Sequence, residues 1–229
     1  MAVRAYKKSV HRRIAALLAS MKTDLLASCE CFFGGGTAIV MLLDEYRESH
    51  DVDFLCASVK GYRRIREVVF EDGLAGLFNR RPKILREARS DQYGIRAALL
   101  VDGGPVKFEI VREGRVSLSG KVDPGLGVPV LTRADLAAEK LLANADRGLD
   151  RVTRSRDYID LVAMRSRWGR SPVAASRKAY AAYGRRTIEA SLRSSKRLLA
   201  DPAYRSACVA DLGLEPWIAA ALSDQSRRR

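Results

Sequence analysis

Residues Gly34–Leu55 read GGGTAIVMLLDEYRESHDVDFL. Three glycines, Gly34, Gly35 and Gly36, predict a turn, and the apolar residues after it recur at helical spacing. Ala38, Ile39, Leu42 and Leu43 would form one face of a helix over Thr37–Tyr46. The stretch Asp51–Cys56, DVDFLC, then alternates as a half-buried strand does. Residues two apart on a strand point to one face, so the Asp51 and Asp53 backbones stand roughly 6–7 Å apart with side chains free to converge. Two anions so placed repel, and a cation is their natural third member. Hard oxygen ligands select Mg²⁺ or Mn²⁺. A glycine turn entering a helix aims backbone N–H groups outward and binds phosphate well. Thr37 would add a hydroxyl. Glycine turn and aspartate pair together describe a place for a triphosphate and its metal.

The surrounding sequence supplies a frame for that place. Residues 4–28 read as an amphipathic helix and Cys29–Phe33 as a short buried strand. Lys60–Phe70 is a further helix, with Ile65, Val68 and Val69 as its apolar face. Tyr93–Val101 and Val106–Val111 are strands joined by a hairpin turn at 102–105, and Gly125–Val130 leads into a last short extended segment. Glu109 sits in the middle of VKFEIV, with Phe108 and Ile110 facing the other way. It faces either solvent or a site, and it is the candidate third carboxylate of a two-metal arrangement. From Thr132 onward the chain changes character. TRADLAAEKLLANADRGLD, SRDYIDLVAMRSRW, PVAASRKAYAAYG and TIEASLRSSKRLLA are all helical patterns. The layout is α+β: a mixed α/β part over residues 1–130 and a helical part over 131–229. The terminal SRRR is the single low-complexity segment.

Composition narrows the function classes. The 229 residues are 47% hydrophobic, enough for a folded core, and no apolar run reaches the ~18 residues of a membrane span. The basic start followed by IAALLASM has the outline of a secretory signal, but charges continue through it, so an amphipathic helix is the preferred reading. The cysteines Cys29, Cys31, Cys56 and Cys208 do not space as a disulfide framework, and with two histidines in the chain a zinc site is disfavoured. Idle thiols in a reducing cytoplasm are the simpler account. The net charge is +14, and it is uneven: Leu131–Arg229 carries 20 Lys and Arg against 11 Asp and Glu. Within Arg147–Arg197 the count is 14 against 4. Such a balance favours a polyanionic partner, whether nucleic acid, an anionic membrane surface or an acidic protein, and a bias this large in one segment points to a phosphate-binding surface.

GGGTAI followed by S-H-DVDFL resembles the first motif of the nucleotidyltransferase superfamily. Its form is similar to the AbiEii-type toxin nucleotidyltransferases, which include the MenT-like toxins. Downstream, VKFEIV resembles the strand with the third acidic residue. EKLLANADRG resembles a Lys-x6-Arg helix on Lys140 and Arg147, and RDYIDL resembles a late motif on Arg156, Asp157 and Asp160. The motifs span about residues 33–161, and the gap before RDYIDL is longer and more basic than in typical members. The resemblance implies a nucleotidyltransferase-like mixed sheet with flanking helices, followed by a helical region that completes the site and binds the acceptor. It implies that Gly35, Gly36 and Thr37 contact nucleotide phosphates, and that Asp51 and Asp53 hold Mg²⁺. Glu109 would complete the metal site or activate the attacking hydroxyl. Lys140 would reach the triphosphate, with Asp160, or else Asp157, orienting it.

The activity so implied is transfer of a nucleotide from an NTP to an RNA 3′-hydroxyl, at the acceptor end of tRNA. The enzyme would act as the toxin of a toxin–antitoxin or phage-defence pair held by an antitoxin protein. Two alternatives keep the same scaffold: transfer to a protein hydroxyl, or a catalytically dead basic module that binds nucleic acid. Ser49 lies two residues before Asp51. Its phosphorylation would add negative charge beside the carboxylates and block nucleotide binding. His50 is expected to face solvent. Trp168, Tyr180, Tyr183 and Trp217 are expected to pack between helices rather than stack on bases.

Overall fold

The computed structural model describes residues 5–227. Arg4, at the head of the expected first helix, and the last two arginines of SRRR lie outside the described residues. The described chain forms two compact units. The first comprises residues up to Met41 together with Ser49–Thr132; the second comprises Leu42–Glu48 together with the chain from Arg133 on.

The first unit is built on a seven-stranded mixed sheet. Its strands are β1 (Cys31–Phe33), β2 (Asp51–Cys56), β3 (Lys83–Ser90), β4 (Gly94–Val101), β5 (Gly104–Arg112), β6 (Gly120–Val122) and β7 (Pro129–Leu131). Their order across the sheet is β3-β4-β5-β2-β1-β7-β6. The β2–β5 and β1–β7 pairs are parallel and the remaining pairs antiparallel. Alternation on the central strands sends Val52, Phe54, Phe108, Ile110, Ile95, Ala97 and Leu99 into the core. Phe33, Phe54, Phe108 and Phe78 make a chain of ring contacts there, with centroids 5.5–6.1 Å apart. Each such pair adds about 0.5–1.5 kcal/mol beyond its buried area. Helix α1 (Ser9–Ala19) packs on β4 and β5, and α4 (Val59–Asp72) packs on β2.

The expected opening helix is broken in two, α1 and α2 (Thr23–Ser28). The break has a cause distant in sequence. Residues 20–22 leave the helix to pair with 77–79: Asn79 N–H donates to the Ser20 carbonyl and Lys22 N–H to the Leu77 carbonyl. Strand β3 was not anticipated, because its apolar residues Ile84, Leu85 and Ala88 do not alternate. Two register shifts against β4 explain the lost period. Helix α3 is Gly35–Leu42, starting two residues earlier and ending four earlier than its apolar pattern suggests. Ala38, Ile39, Val40 and Met41 are all buried, as a helix apolar on every side must be. All four cysteines are reduced and buried.

The second unit is helical: α5 (Arg133–Arg147), α6 (Arg156–Trp168), α7 (Val173–Tyr183), α8 (Arg185–Ala200), α9 (Pro202–Leu212) and α10 (Pro216–Arg227). Helix α5 packs against α6, α7 and α8. The segment Leu42–Glu48 joins this unit through its backbone: Glu48 N–H donates to the Leu212 carbonyl, and Glu215 N–H to the Tyr46 carbonyl. The tryptophans are covered by arginines of the same unit, Arg133 over Trp168 at 4.8 Å and Arg167 over Trp217 at 4.2 Å. Among the described residues no helix is long and apolar enough to cross a membrane.

Candidate active site

In the first unit the β1–β2 ladder sets the site. Phe33 pairs with Phe54, and one residue on Gly34 N–H donates to the Asp53 carbonyl at 2.9 Å. The next residue, Gly35, turns into α3 with φ +68°, a left-handed conformation that a side chain strains. A Cβ at Gly35 would stand 2.6 Å from Asp53 Oδ2. Glycine is required twice over, by its backbone and by the carboxylate lying against it. Gly35 and Gly36 remain half-exposed at the first turn of α3, where the positive end of the helix dipole favours an anion.

Asp51 and Asp53 occupy one face of β2, both half-exposed. Asp53 is in register with Glu109 on β5, so all three carboxylates share that face. They are not drawn into a closed cage. The Glu109 carboxylate is turned to Lys107 Nζ at 3.2 Å and Arg96 Nε at 3.5 Å. Among the described residues no three His, Cys, Asp or Glu groups are gathered closely enough to hold a metal. By donor type and by face, Asp51 and Asp53 fit a hard divalent cation; the third carboxylate is held elsewhere.

Thr37 is 1% exposed, and its hydroxyl shares a hydrogen bond of 2.7 Å with Ser49 Oγ. The hydroxyl expected to meet phosphate instead ties the first turn of α3 to the residues leading into β2. Ser49 itself is half-buried, and His50 is exposed.

The second unit assembles the remaining motif residues into a buried ionic cluster. Lys140 Nζ lies 2.8 Å from Asp157 Oδ1 and 2.7 Å from Asp160 Oδ2. The choice between the two aspartates resolves as both. Asp160, fully buried, also accepts from Tyr46 Oη at 2.6 Å and from Arg47 Nε and Nη2 at 2.8 and 3.0 Å. Asp157 accepts from Arg147 as well, at 2.7 and 3.1 Å. Arg156 makes no ion pair among the described residues; Asp160, four residues on along the same helix, is taken by Lys140 and Arg47. Burial alone would raise the Asp157 carboxyl, but Lys140 and Arg147 overcome it and hold it well below the usual carboxylate range. Burial is likewise outweighed at Asp160 by Arg47 and then Lys140, and its carboxyl is also lowered. The Tyr46 hydroxyl is pushed up by burial and by Asp160, so it stays protonated as a donor.

Tyr46 and Arg47 are the cluster members that sequence reading missed. They lie 114 and 113 residues from Asp160, and no local pattern connects them to it.

A profile of the AbiEii family, described as nucleotidyl transferase AbiEii toxin of a type IV toxin–antitoxin system, matches residues 16–214. The chain belongs to the AbiEii nucleotidyltransferase toxin family. Among solved structures, this AbiEii chain is similar to JHP933 from Helicobacter pylori, at 13% identity and TM-score 0.52 over 97% of this chain and 92% of that one. A second solved structure from H. pylori, described as a candidate nucleotidyltransferase, aligns at 13% identity and TM-score 0.49 over 95% of this chain and 92% of that one. The first likeness shows the fold, a nucleotidyltransferase-like mixed sheet with flanking helices. No curated protein matches the AbiEii chain by sequence.

Proposed function

We propose that this protein transfers a nucleotide from an NTP to the 3′-hydroxyl of an RNA, at the tRNA acceptor end, and that it blocks translation as the toxin of a toxin–antitoxin pair. The observation that carries the reading is the contact of Gly35 with Asp53. The phosphate-binding turn and the carboxylate pair are one structure, fixed by a position that admits no side chain.

In this reading Gly35 and Gly36 bind triphosphate oxygens through backbone N–H groups at the start of α3. Asp51 and Asp53 would hold Mg²⁺ or Mn²⁺, which when bound supplies neutralisation of charge at the displaced pyrophosphate. Glu109, in register with Asp53, accepts the proton of the attacking hydroxyl or adds a third ligand once its carboxylate leaves Arg96 and Lys107. Thr37 supports the turn through Ser49 rather than by touching nucleotide. Lys140, with two of its three N–H groups given to Asp157 and Asp160, is assigned a triphosphate contact by the family resemblance. Replacement by Met tests that contact through the KM for NTP. The helical unit, with its excess of arginine, binds acceptor phosphates, and an acidic antitoxin would suit the +14 charge.

The test is a transfer assay with purified protein, Mg²⁺, total tRNA and each labelled NTP in turn, beside Asp53→Ala. Label on RNA that disappears with Asp53→Ala is the expected result, and it names the base. Label on polypeptide moves the acceptor to a protein hydroxyl. RNA binding with no label on anything leaves a binding module and overturns the enzyme reading.

A further inference from the structure

The sheet face that carries the carboxylates also carries a graded row of charge. Sheet register defines it. Across β2, β5, β4 and β3, the residues Asp53, Glu109, Arg96 and Arg89 lie in one cross-strand row. The neighbouring row reads Asp51, Lys107, Ala98 and Arg86. The acidic end is on β2 and the basic end on the edge strand β3, three strand spacings or roughly 14 Å away. Arg86, Arg89, Arg96 and Lys107 are all exposed, and Arg86 and Arg89 make no ion pair among the described residues.

The basic end exists because β3 is irregular. Ile84 pairs with Leu99. A straight antiparallel ladder from there would set Leu85 opposite Ala98 and Glu87 opposite Arg96. Two register shifts, between Ile84 and Arg86 and between Arg86 and Arg89, instead bring Arg86 opposite Ala98 and Arg89 opposite Arg96. Each shift adds one residue on β3, and bulges of this kind re-aim side chains. Together they exchange a leucine and a glutamate for two arginines on the carboxylate face. Setting like charges side by side, Arg89 opposite Arg96, is unfavourable in a sheet; Arg96 is balanced by Glu109 and Asp91, while Arg86 and Arg89 at the edge are left to receive an external anion.

We propose that this face is the track for the acceptor strand. The phosphates of a single-stranded RNA end run over Arg86, Arg89, Arg96 and Lys107 and deliver the terminal hydroxyl to Asp51 and Asp53. The proposal rests on the transfer reading for the role of the carboxylates, and it extends acceptor binding to the first unit. Its span exceeds that of one triphosphate, so the charge row suits a chain of phosphodiesters rather than the NTP. Exposed guanidinium groups at the edge of a sheet read backbone, not bases.

The experiment measures affinity of the full chain for a 5′-labelled single-stranded RNA with a free 3′-hydroxyl by fluorescence anisotropy, in EDTA without NTP, across a salt series. Binding to single strands weakens with salt with a log–log slope of about −0.7 per phosphate neutralised. Arg86→Gln/Arg89→Gln is expected to bind more weakly and to reduce the slope by about 1.4 in magnitude, with the melting temperature of the parent. Arg86→Lys/Arg89→Lys keeps the charges and is expected to restore the slope. An unchanged slope in the glutamine variant overturns the track. So does equal displacement of the RNA by poly-glutamate of matched charge, which would assign the face to an acidic protein. Transfer of nucleotide to RNA with an unchanged slope defeats the track alone. A lowered slope with no transfer by the parent defeats the transfer reading alone.

Discussion

Asp160→Asn should cost the helical unit a large part of its stability while leaving the shape of the side chain intact. Asp160 is fully buried and receives Tyr46 Oη, two Arg47 nitrogens and Lys140 Nζ, all within 3.0 Å. With its charge present, Arg47 and Lys140 are balanced by Asp157 and Asp160. With it gone, two buried cations share one carboxylate that also serves Arg147. Removing one partner of a buried pair costs about 3–5 kcal/mol, because the charge left behind is uncompensated. At ~2–4 °C per kcal/mol for a chain of this length, the melting temperature should fall by on the order of 10 °C. The assay is well isolated. The chain has two tryptophans, Trp168 and Trp217, and both lie in the helical unit, so urea unfolding followed by tryptophan fluorescence reports that unit. Asp211→Asn is the matched control: it breaks the exposed pair with Arg154 and should cost less than about 1 kcal/mol. Adding Lys140→Met to Asp160→Asn should recover part of the loss, since it removes one of the stranded cations. If Asp160→Asn unfolds within about 1 kcal/mol of the parent, the cluster is hydrated rather than closed and the reasoning fails.

Gly35→Ala should melt only a few degrees lower, for a strain of about 1–2 kcal/mol, yet lose on the order of 100-fold in transfer because Asp53 is pushed from its place; full activity would show that Asp53 position is immaterial. Ser49→Glu, at a hydroxyl bonded to Thr37 and two residues from Asp51, should depress transfer and NTP binding together while the fold persists, as read by activity and nucleotide titration. The lowered Asp157 and Asp160 carboxyls give the pH dependence a definite sign. The unfolded chain takes up protons near the ordinary carboxylate pKa of about 3.9, above the native values, so stability is full above that pH and drains as pH falls below it. Tryptophan fluorescence on acid titration should therefore show the helical unit opening below about pH 4, and less steeply in Asp157→Asn.

The sequence carries most of the site and part of the frame. Asp51 and Asp53 are readable as one face because strand period is a local property; that Glu109 shares it is fixed by the β2–β5 register, which no local pattern records. The glycine turn is readable as a turn, but not the contact of Gly35 with Asp53, which depends on β1–β2 pairing. Strand β3 is hidden because its bulges destroy the alternation on which such reading depends. The break at residues 20–22 is hidden because its hydrogen bonds go to residues 77–79. Lys140, Asp157 and Asp160 emerge through helical spacing and motif resemblance. Tyr46 and Arg47 read merely as the last residue of a helix and the first beyond it, since no periodicity records a partner more than a hundred residues away.

The seven residues Leu42–Glu48 stand between the glycine turn and the aspartates, yet they belong to the helical unit. The chain therefore leaves the first unit and re-enters it inside its own signature. Cutting at residue 132 would not liberate an intact helical module, because the fragment would lack Tyr46 and Arg47 and abandon Asp160 to Lys140 alone. Nor could such a module be exchanged between relatives as a C-terminal cassette; a viable chimera must carry both pieces from one parent. The interval from Gly35 to Asp51 is thus under two masters, and insertions there should be rarer in descent than the chemistry of the carboxylates by itself would require.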